Sequence, residues 1–153
     1  MTLKYIDIHS HLHFPAYKDD REKVIKRALD EGVWVVNIGT NKKTSEEVIS
    51  LSEKYEEGVY ASVGLHPINT DASFCCDDAD AEGGIVEDNF DYQFYKKLAK
   101  NPKVVAIGEC GLDFFHLSEE NRFKQIEVFE KQIELALEVN KPLMLHVRNA
   151  YEE

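Results

Sequence analysis

The fold is decided by residues 33–67, VWVVNIGTNKKTSEEVISLSEKYEEGVYASVGLHP. A β-branched apolar run from Val33 to Asn37 predicts a buried strand, and the run from Val59 to Gly64 predicts a second one. Between them, Thr44 to Glu57 carries apolar residues at helical spacing and ends before Gly58, which predicts a helix. This order of elements predicts two parallel strands joined by a right-handed crossover.

The same alternation extends in both directions along the chain. Further strands are predicted over Tyr5 to Ser10, Lys103 to Ile107 and Leu143 to Val147. Further helices are predicted over Asp20 to Glu31, Phe90 to Lys100 and Glu119 to Asn140. The pattern predicts an α/β fold with a parallel sheet, either an open doubly wound sheet or a (β/α) barrel. The absence of a Gly-x-Gly-x-x-Gly turn and of a P-loop weakens the nucleotide-binding form of the open sheet.

The charge of this chain is its unusual bulk property. Its 153 residues are 43% hydrophobic, as in ordinary globular proteins. The chain has 18 Lys and Arg residues but 29 Asp and Glu residues, which gives a net charge of −11. Such a chain lacks the basic surface that non-specific nucleic-acid binding needs. No Lys or Arg lies between Lys54 and Lys96, an interval that holds ten acids. We therefore expect an acidic loop insertion over residues 67–90.

The cysteines and the apolar segments bear on the compartment. Cys75, Cys76 and Cys110 are odd in number and two are adjacent, which does not make a disulfide framework. No stretch approaches the ~18 apolar residues of a membrane span, and the N-terminus lacks the apolar core of a signal peptide. We expect a cytoplasmic protein without membrane association. Cys110 is expected to face the helices as a small apolar residue.

Histidines and a carboxylate collect where the predicted strands end. His9 and His11 close the first strand, Glu109 follows the fourth, and His146 lies in the fifth. The carboxyl ends of parallel strands meet at one edge, so these side chains are expected to converge there. Imidazole and carboxylate ligands suit Zn²⁺, Mn²⁺ or a similar divalent ion. His9, His11, Glu109 and His146 are therefore predicted to bind metal.

Strict alternation along a strand predicts which side chains share a face. Three sets are expected to point together: Asp7 with His9 and His11, opposite Ile6 and Ile8; Val105 with Ile107 and Glu109; and Met144 with His146 and Arg148.

Four segments resemble the TatD family of metal-dependent hydrolases. They are IDIHSHL (6–12), VGLHP (63–67), IGECGLD (107–113) and KPLMLHVRNA (141–150). Gln125, Phe129 and Gln132 also fit the family pattern. The resemblance implies an incomplete TIM-barrel-like (β/α) fold, with about five parallel strands and four helices of an eight-stranded barrel. A single truncated barrel domain is then expected over residues 1–153.

The resemblance also implies a chemistry, namely hydrolysis of phosphodiester bonds, typically in DNA, with two divalent metal ions (Zn, Mn or Mg). His9 and His11 would hold one metal, Glu109 would bridge both, and His146 would begin the second site. Catalytic roles are implied for Glu109, His66, Asp113 and Arg148, the last three near the substrate phosphate. The two ions would supply the positive charge that a chain of net charge −11 lacks.

Departures from the family pattern leave alternatives open. His13 stands where many relatives have Asp, and Val147 and Asn149 replace a Ser and an Asp. The family's remaining ligands, a His on the sixth strand and an Asp after the eighth, have no counterpart. We therefore expect at most one well-formed metal site, little turnover and self-association through the open barrel edge. The alternatives are an amidohydrolase-type enzyme acting on a C–N or other ester bond, and a non-catalytic paralogue that binds a partner.

Overall fold

A computed structural model describes residues 3–70, 89–115 and 119–152. The strands are β1 (Tyr5–Ser10), β2 (Val33–Ile38), β3 (Val59–Val63), β4 (Val104–Asp113) and β5 (Leu143–Arg148). The helices are α1 (Arg21–Asp30), α2 (Lys42–Ser52), α3 (Tyr92–Ala99) and α4 (Glu119–Val139), with 3₁₀ turns at Pro15–Tyr17 and Pro67–Thr70. Most of the acidic loop, with Cys75 and Cys76, lies outside the described residues.

The sheet settles which of the two parallel architectures is present. Its order is β1-β2-β3-β4-β5, and each neighbouring pair is parallel. In a doubly wound sheet the strand order reverses at a switch point, whereas in a barrel it advances around the wall. The advancing order confirms the prediction of an incomplete (β/α) barrel.

The predicted elements are present, but some boundaries differ. β4 extends to Asp113, six residues beyond the predicted end at Ile107. Gly108 and Gly111 lie inside this strand with φ of 141° and 135°. A Cβ at Gly111 would collide with the His146 carbonyl oxygen of β5, so only glycine lets the two backbones approach this closely.

Helix α2 starts and ends earlier than its apolar pattern predicts. It starts at Lys42 because Asn41 caps it, with the Asn41 side-chain oxygen accepting a hydrogen bond from the Thr44 amide at 2.9 Å. It ends at Ser52 rather than at Glu57. This helix packs on β3 and so positions the residues that follow that strand.

The helices bury one face of the sheet in two clusters. Beside α1 and α2 the cluster comprises Leu12, Ile25, Val35, Leu51 and Val59. Beside α2, α3 and α4 it comprises Val48, Ile49, Ala61, Val63, Leu65, Phe90, Tyr95, Ala99, Val104, Ile107, Val128, Leu135 and Ala136. These clusters fix the strands against the helices and leave the other sheet face for the site.

The opposite face of the sheet is open. It forms a cavity of about 580 Å³ lined mainly by apolar side chains, among them Ile6, Ile8, Trp34, Tyr60 and Met144. Ile6 and Ile8 on the edge strand β1 are exposed, as is Leu145 on the other edge strand, β5. Among the described residues, no helix combines the length and apolar character needed to cross a membrane.

Candidate metal centre

A bulge in β1 brings its histidines to the open face. Asp7 pairs with Val35, whose side chain lies in the helix-side core. The pairing then shifts: Ser10 pairs with Asn37, so β1 advances three residues from Asp7 while β2 advances only two from Val35. One extra residue in one strand is the mark of a β-bulge. The extra residue turns His9 to the side of Ile8, so the prediction that Asp7 shares a face with His9 is wrong. The Asp7 carboxylate instead accepts a hydrogen bond from the His9 amide at 3.1 Å.

Irregular pairing also sets the direction of Glu109 on β4. Val105 lines the open face and Ile107 lies in the core, so the prediction that these two residues and Glu109 share a face is wrong. Pairing with β3 shifts between Val104 and Ala106, which separates Val105 from Ile107. Pairing with β5 then shifts between Ile107 and Cys110, and this second extra residue turns Glu109 back to the open side. Cys110 is fully buried, which confirms its predicted packing role. Burial, with the nearby Glu109 charge, raises the pKa of its thiol to about 12.

Glu109 lies between two pairs of histidines. Its Oε2 is 3.4 Å from His9 Nε2, which in turn is 3.2 Å from His11 Nε2. Its Oε1 is 3.3 Å from His146 Nδ1 and 3.8 Å from His66 Nε2. One carboxylate oxygen therefore faces each pair, and within each group of three residues the ligand atoms all lie within 4.8 Å of one another.

These separations fit ligands that converge on a metal ion. Tetrahedral ligands at about 2.1 Å from a central zinc lie about 3.4 Å from one another. The contacts of His9 with His11, of His9 with Glu109 and of His146 with Glu109 measure 3.2, 3.4 and 3.3 Å. Nitrogen and carboxylate donors of this kind suit zinc and manganese. Each group supplies three such donors, so the residues present fit a divalent ion in either place.

The electrostatics favour ligand-competent protonation states. Burial lowers the pKa of His66 to about 4 and also lowers the pKa of His11. Burial alone would raise the pKa of Glu109, but the hydrogen bond to His146 and the neighbouring histidine charges hold it below its ordinary value. The hydrogen bond with Glu109 raises the pKa of His146. At neutral pH an ionised carboxylate thus faces neutral His66 and His11, the forms that metal binding requires.

Two buried glutamines on α4 hold the strand ends that carry these residues. Gln132 accepts from the Leu65 amide at 2.9 Å and donates to the Leu65 carbonyl at 3.0 Å, directly before His66. Gln125 does the same to Asp113, at 2.8 and 3.1 Å. The two side chains are 1% and 0% exposed. They lie seven positions, about two turns, apart on one helix face, so α4 ties the ends of β3 and β4 to each other. The sequence marked them only as matching a family pattern.

Asp113 links the candidate metal ligands to the outer rim of the site. Its Oδ2 is 2.9 Å from His146 Nε2, which directs the other ring nitrogen of His146 towards Glu109. Its Oδ1 accepts from the Phe115 amide at 3.1 Å. The Arg148 guanidinium lies 3.8 Å from the centre of the Phe115 ring.

The structure brings together most of the residues singled out in the sequence. His9, His11, His66, Glu109, Asp113 and His146 form one connected cluster, and Arg148 lies at its edge across Phe115. Sequence reasoning missed Phe115, whose only signal is its place in an aromatic pair, Phe114 and Phe115, that follows the segment carrying Glu109 and Asp113.

Comparison with known proteins identifies what the chain is similar to. The family model for TatD related DNases matches residues 6–153. The chain is 37% identical over 148 residues to the uncharacterized metal-dependent hydrolase YabD of Bacillus subtilis, which covers 96% of this chain and 52% of that protein. It is 35% identical over 147 residues to the 3'-5' ssDNA/RNA exonuclease TatD of Erwinia tasmaniensis, covering 95% of this chain and 51% of that protein.

A solved structure supports the same comparison. The crystal structure of YjjV, a TatD homologue from Escherichia coli K12, superposes with a TM-score of 0.74 at 29% sequence identity. The match covers 97% of this chain and 52% of YjjV. The chain thus spans about half the length of the relatives that it matches, and over that length it has their barrel fold.

Proposed function

The chain belongs to the TatD related DNase family. On that basis we propose that it is a cytoplasmic protein that contributes to the hydrolysis of phosphodiester bonds in DNA and uses two divalent cations. The observation that carries this proposal is the Glu109 carboxylate, which turns one oxygen to each of two histidine pairs. A carboxylate shared in this way is suited to bridge two ions. Paired ions are a recurring solution for phosphoryl chemistry.

The two ions would be held by overlapping groups of residues. His9, His11 and Glu109 would bind one, and His66, His146 and Glu109 the other. When bound, such ions neutralise phosphate charge and make a water molecule more acidic. The family resemblance implied a place for His66 near the substrate phosphate. Its position 3.8 Å from Glu109 favours a place among the ligands of the second group instead. The proposal therefore extends the predicted ligand set by one residue. It also replaces the expectation of at most one well-formed metal site, because each of the two groups supplies three donors.

The residues around the ligands would orient them and the substrate. Asp113 is buried and contacts His146, so we assign it as a positioning residue that holds the imidazole in place. Arg148 is exposed at the rim of the site, where its guanidinium can pair with a phosphate oxygen. This cation offsets the net charge of −11 locally, where an anionic substrate would enter.

Metal titration tests the two-cation arrangement directly. Isothermal titration of the metal-free chain with Mn²⁺ or Zn²⁺ should give two binding events. The His11→Ala variant should lose one event, the Glu109→Gln variant should weaken both, and the exposed control Glu130→Gln should change neither. Two unchanged events in Glu109→Gln would contradict the bridging role, and a single event in the unmodified chain would contradict the second ion.

The substrate class is tested by a panel of single-stranded DNA, a p-nitrophenyl phosphodiester and an amide. Metal-dependent cleavage of the phosphodiesters, even if slow, should disappear in the Glu109→Gln variant. Cleavage of the amide alone would overturn the proposal in favour of an amidohydrolase. A chain that is folded, binds no metal and cleaves none of the three would instead support the non-catalytic alternative.

Self-association is a separate part of the proposal. The edge strands expose Ile6 and Ile8 on β1 and Leu145 on β5, and their outer backbone groups are available for pairing. A second copy of the chain would cover both edges. Sedimentation over a range of concentrations should show a dimer or larger species, and a monomer at all concentrations would contradict this part.

A further inference from the structure

Phe115 is an aromatic side chain at the rim of the site. Its ring is about half exposed, at 50%. Its amide donates to Asp113 Oδ1 at 3.1 Å, and the Arg148 guanidinium lies 3.8 Å from its ring centre. The ring is thus anchored on its backbone side and covered by a cation.

Phe115 is connected to the candidate metal ligand His146 through Asp113. The Asp113 carboxylate that accepts from the Phe115 amide also contacts His146 through its other oxygen, at 2.9 Å. Arg148 lies two residues after His146 on β5, so the same strand carries a ligand and the cation on the ring. An aromatic ring and a guanidinium therefore lie next to Asp113, which contacts the candidate ligand His146.

We propose that Phe115 and Arg148 form a subsite for a nucleobase adjacent to the scissile phosphate. The base would stack on the exposed part of the Phe115 ring, while Arg148 supports the ring and faces the phosphate backbone. Stacking on aromatic side chains combined with guanidinium contacts is the general mode by which proteins hold unpaired bases without reading their sequence. The subsite rests on the proposed function, because it positions a nucleic acid for the Glu109 centre.

The proposed subsite would select for single strands. A base inside a duplex has both faces stacked on its neighbours and its edge paired, so it can stack on Phe115 only after it leaves the helix. A terminal or unpaired base pays little or none of that cost. The subsite would therefore favour single-stranded substrates and ends over duplex interiors.

Binding to two matched probes tests the subsite without requiring turnover. Fluorescence anisotropy with Ca²⁺ as the added metal would compare a labelled oligothymidylate with an abasic oligomer of the same length and charge. The Phe115→Ala variant should bind the oligothymidylate roughly 5- to 100-fold more weakly, as expected for loss of one stacked base. Its affinity for the abasic oligomer should not change.

Three further variants separate stacking from packing. Phe115→Trp should keep the affinity for oligothymidylate, and Phe115→Leu, which retains apolar bulk but not the aromatic face, should lose it. Phe123→Ala removes a phenyl ring that is 75% exposed on α4, and it should change neither probe. Equal loss for both probes, or rescue by leucine, would overturn the subsite. Absence of binding of either probe to the unmodified chain would overturn the proposed nucleic-acid function itself.

Discussion

Replacing Gln132 with leucine should destabilise the chain far more than a typical polar-to-apolar change on a helix. Leucine cannot make either hydrogen bond to Leu65, which measure 2.9 and 3.0 Å. The Leu65 amide and carbonyl would then be left buried without partners, because Leu65 is fully buried. A buried polar group without a partner costs about 1–3 kcal/mol, so two should lower the free energy of unfolding by about 2–6 kcal/mol.

Urea unfolding followed by circular dichroism measures this loss. The matched control is Gln93→Leu, an exposed glutamine on α3, which should change the free energy of unfolding by less than about 0.5 kcal/mol. Metal titration of the folded variant should also weaken the event assigned to His66, because His66 follows Leu65 directly. Equal stability losses in Gln132→Leu and Gln93→Leu would refute the role of Gln132 as a backbone clamp.

A Gln132→Glu variant adds a pH dependence with a definite sign. The carboxylate could still accept from the Leu65 amide, but when ionised it would face the Leu65 carbonyl, which is itself an acceptor. Burial and this repulsion should raise the pKa of the introduced carboxyl in the folded state. The folded state then binds a proton more tightly than the unfolded state, so the variant should lose stability relative to the parent as pH rises. A stability difference that is constant with pH would contradict this reasoning.

Two further predictions concern groups next to Glu109. The pKa of the Cys110 thiol is raised to about 12 by burial, so the thiol should resist iodoacetamide at pH 8 in the native chain and react in urea. Mass spectrometry of the peptide measures the labelling, and rapid labelling of the native chain would contradict the burial of Cys110. Asp113→Asn should weaken metal binding at the His146 group by about 10–100-fold, with the His9 and His11 group unchanged in the same titration; equal weakening of both events would contradict a local positioning role.

The order of elements follows from local patterns, whereas the closure of the sheet does not. Apolar spacing places all five strands and four helices because each pattern is set by one element and its own burial. Alternation of strands and helices is equally compatible with a doubly wound sheet, so the order β1-β2-β3-β4-β5 had to come from non-local pairing or from resemblance. The early end of α2 at Ser52 is likewise absent from the apolar pattern, which continues to Tyr55.

The membership of the site was predictable, but the direction of its side chains was not. Histidines and a glutamate at strand ends indicated the cluster that the structure forms around Glu109. Period-two alternation then placed Asp7 with His9, and Ile107 with Glu109, and both placements were wrong. Each error comes from one extra residue in a strand, which reverses the face of everything beyond it.

The bulge between Ile107 and Cys110 allows β4 to place these two residues in the core and Glu109 in the site. Ile107 and Cys110 both lie on the helix side, yet they are three residues apart and would face opposite ways in a regular strand. Without the extra residue, either Cys110 would leave the core or Ile107 would enter the site. The bulge satisfies both packing requirements and leaves Glu109 facing the histidines. Glu109, the carboxylate that contacts both pairs of histidines, therefore lies where the regular strand pattern and tertiary packing conflict. Departures of this kind are expected at functional sites.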